Sequence, residues 1–223
     1  MRYKLFLFFL PVFIYSCSPV KYIKPLARKE HAANVSLGGP LIGFADATIP
    51  IPFITANYGY GLDSTLTLFS GINITSALYG NLQAELGLTK QLLLQRKYIP
   101  AISLTPVANI IYRNKNAFKF YPQLAANFFW EYGKRKNFIY LGCDNWFELS
   151  KKRAFGIEQK NHWIAMPFVG HTLTGGQWNL TAEAKIIAPD ISNEKLVVDY
   201  KTPLKNKGAL GVYVSYTYKF KKK

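Results

Sequence analysis

Residues Phe118 to Tyr132 read FKFYPQLAANFFWEY and alternate in character from end to end. Phe118, Phe120, Pro122, Leu124, Ala126, Phe128, Trp130 and Tyr132 fall on one face. Lys119, Tyr121, Gln123, Ala125, Asn127, Phe129 and Glu131 fall on the other. A period of two kept over that length is the period of an extended strand, whose successive side chains point to opposite faces. The apolar face has an order of its own: rings at both ends, with smaller residues and Leu between. That layout suits a strand that crosses a bilayer and keeps its aromatics at the two interfaces.

Related segments fill the chain from residue 33 onward. Thr65–Leu78 places Leu66, Leu68, Ile72 and Ile74 opposite Thr65, Thr67, Asn73 and Thr75. Tyr79-Gly80 turns it into Asn81–Leu94, where Leu82, Ala84, Leu86 and Leu88 oppose Asn81, Gln83, Glu85 and Thr89. Tyr98–Tyr112, Gln177–Ala188 and the closing strand to Phe220 repeat the pattern. Ala33–Phe44 is Gly-rich, and Ile49–Gly61 begins with Pro50 and Pro52, which cannot donate ladder hydrogen bonds and place that part at a rim or edge. Phe138–Leu149 and His162–Thr174 read as strands without a clean phase, since Asp144 and Glu148 share a face with Trp146. The expected fold is all-β: an antiparallel up-and-down barrel of about ten strands, within roughly eight to twelve, spanning a membrane. Connection lengths agree, because the two long ones, 150–161 and 189–207, fall on the side opposite the uniformly short set. Long outer loops and short periplasmic turns mark such barrels.

Alternation does not say which face is buried, because a soluble barrel alternates with its apolar residues inward. Three features favour apolar-out. Rings crowd the strand ends on the apolar face, forming an expected girdle of Phe118, Phe120, Trp130, Tyr132 and Trp178. The polar faces carry Thr, Asn, Gln and Gly with a few opposite charges, where a solvated face would hold more Lys and Glu. The last strand ends at an aromatic, Phe220, followed by Lys221–Lys223. The remaining charges, Glu85, Lys119, Glu131, Glu183 and Lys185, are then expected to pair with one another inside a narrow lumen.

Lys and Arg number 28 against 12 Asp and Glu, a formal charge of +16. Most cations lie in turns and tails, and no helix or compact motif gathers them into a groove reader, so nucleic acid is not an expected partner. A charged rim meeting anionic surroundings is. Lipid phosphates, lipid A included, are the expected contacts of the basic loops, with barrel assembly machinery as the expected protein partner. The two cysteines, Cys17 and Cys143, are too few for a disulfide framework, and no cluster has zinc-ligand spacing. No cofactor or metal is expected.

Residues 1–17, MRYKLFLFFLPVFIYSC, join a basic start (Arg2, Lys4) to an apolar run too short to span a bilayer as a helix but of signal-peptide length. The run ends in Ile14-Tyr15-Ser16-Cys17. That ending resembles the bacterial lipoprotein signal, with Ile14 and Ser16 at the aliphatic and small positions and Tyr15 bulkier than is usual. The resemblance implies cleavage before Cys17 and acylation of Cys17. Residues 1–16 are then a signal peptide, 17–32 a lipidated cysteine and polar tether, and 33–223 a single barrel domain. With its strands, the chain resembles bacterial outer-membrane β-barrel lipoproteins, which implies the outer membrane of a Gram-negative cell with an N-terminal lipid anchor.

Catalysis is not expected. There is no GxSxG, HExxH or phosphate-cradling glycine loop. His31 falls in the tether and His162 beside Trp163; His171 near Asp144 or Glu183 is the one combination that would suit a lipid-modifying enzyme. The leading expectation is a membrane barrel with a structural or small-solute and lipid-interaction role. The alternative is a lipid-anchored, soluble, lipocalin-like barrel that holds an apolar ligand inside.

Overall fold

In the computed structural model, residues 22–113, 117–151, 158–194 and 198–220 are described; the expected signal peptide and lipidation site, Cys17, lie outside them. Strands β1 (His31–Phe44), β2 (Ala47–Pro50), β3 (Phe53–Asp63) and β4 (Leu66–Asn73) lead to a short helix, α1 (Ile74–Leu78). Strands β5 (Asn81–Leu93), β6 (Ala101–Arg113), β7 (Ala117–Tyr132), β8 (Asn137–Phe147), β9 (Trp163–Thr174), β10 (Trp178–Ser192) and β11 (Lys207–Lys219) follow. Each pairs antiparallel with its neighbour, and β11 pairs with β1 from Ala32↔Lys219 to Pro40↔Gly211, which closes the sheet. β2 stands outside the ring, folding back on β1 through a turn whose central residues Ala45 and Asp46 both have positive φ, as a two-residue hairpin of that hand requires. Ten strands therefore form a closed up-and-down barrel, as the alternation implied.

The strand ends define two rims. Segments 44–53, 74–80, 148–151, 158–162, 193–194 and 198–206 lie at one, the long-loop end; 64–65, 94–100, 133–136 and 175–177 lie at the other, the short-turn end. Turn chemistry at the second is local: the Thr65 hydroxyl and amide donate to the Asp63 carboxylate at 2.7 and 2.6 Å, holding it below the usual carboxylate range.

Local chemistry also moves several boundaries. Ile74–Leu78 continues the alternation of β4 but coils into α1, because the Asn73 side chain accepts from the Ser76 amide and caps a helical turn. Tyr98 and Ile99 belong to a turn rather than to β6. β10 runs on to Ser192, carrying Pro189 past a register shift between Ile187 and Ser192, where a missing ladder donor is tolerated.

The wall is inverted relative to a soluble barrel. Val35, Leu37, Leu68, Leu86, Leu124, Leu141, Val169 and Val214 are exposed on the outside, while Asn34, Thr67, Thr89, Ser103, Asn127 and Asp144 are buried inside. The alternative of a soluble barrel around an apolar ligand needs the opposite arrangement, and the side chains do not supply it. In β8 and β9 both faces are apolar: Phe138, Tyr140, Trp146, Ile164, Met166 and Phe168 line the lumen, and Ile139, Leu141, Trp163 and Val169 face out.

Candidate functional site

The closed sheet encloses a lumen, and its two halves are furnished differently. On β7 to β10, large rings surround a buried charge cluster. Lys185 Nζ donates to Asp144 Oδ2 at 2.7 Å and lies 3.5 Å from Glu183 Oε1. The Tyr140 hydroxyl donates to Glu183 Oε2 at 3.0 Å, and Gln123 Nε2 donates to Asp144 Oδ1 at 2.5 Å. Asn109 in turn donates to Gln123 at 2.9 Å, carrying the chain of polar contacts onto β6. Phe168 and Tyr213 present their faces to the Lys185 ammonium, 5.2 and 5.9 Å from the ring centroids. All of these charged groups are withdrawn from solvent, so charge-assisted bonds and ring faces replace the water that each would otherwise keep.

On β1 and β3 to β6, short polar side chains line the wall. Ser36 and Thr55 share a 2.5 Å hydrogen bond and Thr89 and Thr105 one of 3.0 Å, while Asn34 donates to Thr217 at 2.8 Å. Such residues leave space, and residues 22–26 enter it, while Ala27, Arg28 and Lys29 stay exposed. Tyr22, Ile23 and Leu26 are buried. The Tyr22 ring packs on Phe69 with centroids 5.6 Å apart, and its hydroxyl donates to the Ala32 carbonyl at 3.1 Å. The Leu26 amide donates to Thr67 Oγ1 at 2.7 Å, and Ser103 Oγ donates to the Ile23 carbonyl at 2.6 Å. Lys24 forms an ion pair with Glu131. Gly61 exchanges backbone bonds with Lys29 and Glu30. A Cβ at Gly61 would fall 2.1 Å from the Ala27 carbonyl oxygen, and one at Gly59 2.6 Å from the Tyr22 ring, so glycine is what admits the segment there.

These contacts revise two expectations. Residues 22–26 are not a solvated tether; Tyr22, Ile23 and Leu26 find burial against a distant wall. The five lumen charges do not form a single network. Glu183 and Lys185 are brought together, but Glu131 pairs with Lys24, and Glu85 stands beside the Asn57 amide over Gly71. Lys119 is exposed at the long-loop rim, 5.9 Å above the Tyr121 ring. The central acid, Asp144, and its partners Tyr140 and Gln123 were missed, since a lone acid in a strand with two apolar faces gives no sign of its direction.

The histidines are also placed. His171 is on the outer face, its Nε2 2.5 Å from the Tyr132 hydroxyl and its ring stacked on that tyrosine, whereas Asp144 and Glu183 point inward. The combination considered for lipid chemistry is therefore not assembled. His31 opens β1 and lies 2.5 Å from the Tyr58 hydroxyl, and His162 lies 2.8 Å from the Glu148 carbonyl. The expected girdle residues do face outward, Phe118 and Phe120 near the long-loop end and Trp130, Tyr132 and Trp178 near the short-turn end.

At the long-loop end, Tyr200 packs against a buried cluster that includes Tyr121, Trp146, Ile187 and Tyr213. Its segment is held to β1 by a bridge to Ile42 and by bonds from Gly43 to Asp199 and from Lys201 to Leu41. Side chains thus occupy one end of the lumen and an inserted segment the other.

No family model matches the chain, and no curated protein matches it. Among solved structures, the chain is similar to the outer membrane protein OprG from Pseudomonas aeruginosa, with 10% identity over 90% of this chain and 100% of that one, at a TM-score of 0.32. So loose a likeness adds nothing to an architecture that the closed strand order already defines.

Proposed function

We propose that this chain is an outer-membrane β-barrel lipoprotein of a Gram-negative envelope, a structural and lipid-interacting element rather than a diffusion pore. The inverted wall carries this reading. A continuous apolar exterior has no stable partner in water at this extent, whereas hydrocarbon accepts it and closure of the sheet by β11 and β1 removes the open edges that lipid does not tolerate. Lumen occupation supports the structural role, since about ten strands enclose little space and here side chains and residues 22–26 take it up. Acylation at Cys17 would act at the short-turn end, because the five residues from Cys17 to Tyr22 reach at most about 18 Å.

Two substitutions test the reading together. Ala126 is on the outer face of β7, paired to Leu104 and Cys143. Ala126→Arg places a cation in the apolar band and should cost about 2–4 kcal/mol, abolishing the gel shift on boiling that marks a folded barrel in the outer-membrane fraction. A normally inserted, heat-modifiable Ala126→Arg chain would sink the membrane reading. Cys17→Ala should remove acyl label while the chain stays in that fraction; release as a folded soluble barrel would show that the lipid alone had held it.

A further inference from the structure

The charges of the described residues are divided unequally between the rims. The long-loop end carries seven Lys and Arg (Arg113, Lys119, Lys151, Lys160, Lys201, Lys205, Lys207) against six Asp and Glu. The short-turn end, with residues 24–30, carries ten against three, the acids being Glu30, Asp63 and Glu131. Among the described residues, the basic excess of the turns and tails thus lies mainly at the short-turn rim.

Half of those ten cations are in one place. β6 begins at Ala101, paired to Phe129, so the edge of β7 below Phe129 has no strand on that side. The 94–100 turn occupies it. Gln95 donates to the Glu131 carbonyl at 3.1 Å and accepts from the Glu131 amide at 2.5 Å, standing in for a strand neighbour, and Trp130 Nε1 donates to the Tyr98 carbonyl at 2.9 Å. The turn therefore lies along the base of β7, beside the 133–136 turn. Its cations Arg96 and Lys97 join Lys134, Arg135 and Lys136, all exposed. Directly above them the surface is apolar. A bulge between Gln91 and Leu93 breaks the alternation and leaves both Leu92 and Leu93 exposed, with Leu94 following and Tyr98 91% exposed. Lys90, paired to outward Leu104, reaches Thr65 Oγ1 from the same band.

We infer that this foot, at the base of β5 to β8, is a binding site for an anionic phospholipid of the leaflet facing the short turns. The inference rests on the membrane reading. Arg96, Lys97 and the 134–136 cations form the headgroup contact, and Leu92 to Leu94 with Tyr98 form the acyl contact. The juxtaposition selects a lipid over an acidic protein or polymer. A soluble polyanion arriving from below would use the cations alone and gain nothing from a row of leucines on the side of the barrel. A diacyl phosphodiester uses both, since its phosphate and its chains occupy neighbouring depths.

The full-length chain, reconstituted in vesicles of phosphatidylcholine with and without phosphatidylglycerol and then extracted in mild detergent, reports this by native mass spectrometry of retained lipid. Phosphatidylglycerol should be retained in preference, and the preference should fall as salt rises. The variant Arg96→Gln/Lys97→Gln/Lys134→Gln/Arg135→Gln/Lys136→Gln should lose it by about tenfold or more. A variant neutralising Lys151, Lys160, Lys205 and Lys207 at the other rim should keep it. Equal retention of the two lipids by the unmodified chain overturns the inference, as does equal loss in both variants, which would reduce the effect to net charge. Soluble polyglutamate bound at the foot, with no lipid preference, would also overturn it and make the partner an acidic polymer. Failure to insert into either vesicle, read from the absence of a heat-modifiable band, is the separate failure of the membrane reading.

Discussion

The two halves of the lumen solve one packing problem in different ways. The wall of β7 to β10 fills its own interior: Phe129, Phe138, Tyr140, Trp146 and Phe168 are buried, and the Asp144, Glu183 and Lys185 charges beside them are held to one another. The wall of β1 to β6 is lined by Ser, Thr, Asn and Gly and borrows its bulk from residues 22–26. A close-packed interior tolerates neither voids nor unpaired charge, so each half must be completed, one by its strands and the other by an insertion. The two completions differ in what breaks when they are disturbed. Damage among β7 to β10 acts on the barrel wall itself, whereas damage to the borrowed half is limited by the free energy that holds the segment in place.

The largest effect expected from this contrast is at Lys185. Lys185→Met leaves Asp144 and Glu183 buried together without their cation, and breaking a buried pair in this way costs about 3–5 kcal/mol. The urea midpoint of barrel unfolding should fall by that free energy divided by the slope, with the slope itself unchanged. A midpoint within error of the unmodified chain would mean that the cluster is hydrated and that the two halves do not differ as described.

Next in size is Tyr22→Ala. Truncating a large buried ring costs about 3–5 kcal/mol in a close-packed core. Here the cost cannot exceed that of releasing the segment, because beyond it the segment leaves and the strands remain. Hydrogen exchange should show fast exchange of the Leu26 and Lys29 amides, which bond to Thr67 and Gly61, while the ladders of β7 to β10 keep their protection. Uniform loss of protection across the barrel would show that the segment is as integral as the wall.

The contrast also explains which parts of the structure could be read from sequence. β7 was legible because its lumen face, with Lys119, Gln123, Asn127 and Glu131, differs in polarity from its outer face. β8 and β9 were strands of unknown phase because the self-filled half needs apolar side chains inside as well as out. Strand number and topology survived this ambiguity, since turns and lengths count strands whichever way they face. The inserted segment was illegible for another reason. Tyr22, Ile23 and Leu26 follow no period of their own; their spacing fits space left by Gly59, Gly61, Thr67 and Ser103, which are remote in sequence. Asp144 and Lys185 likewise meet only once β8 and β10 have both been placed around β9. The foot at 90–99 was visible as a basic turn after leucines, but only the bulge at Gln91 and the free edge of β7 direct it along the barrel side.

The smallest of these effects isolates a single bond across the borrowed half. Thr67 is fully buried and its hydroxyl oxygen accepts from the Leu26 amide at 2.7 Å. Thr67→Val keeps the shape and removes the acceptor, leaving a buried N–H without a partner at a cost of about 1–2 kcal/mol. If the segment is held by many contacts acting together, its occupancy should persist and only the exchange of the Leu26 amide should quicken, by about tenfold for each 1.4 kcal/mol lost. Should the Lys29 amide quicken with it while the strands stay protected, the segment opens as one unit and Thr67 is among its fastenings. If neither amide responds, the Leu26 to Thr67 bond does not help to hold the segment, and the small side chains of that wall act by the space they leave and not by the bonds they offer.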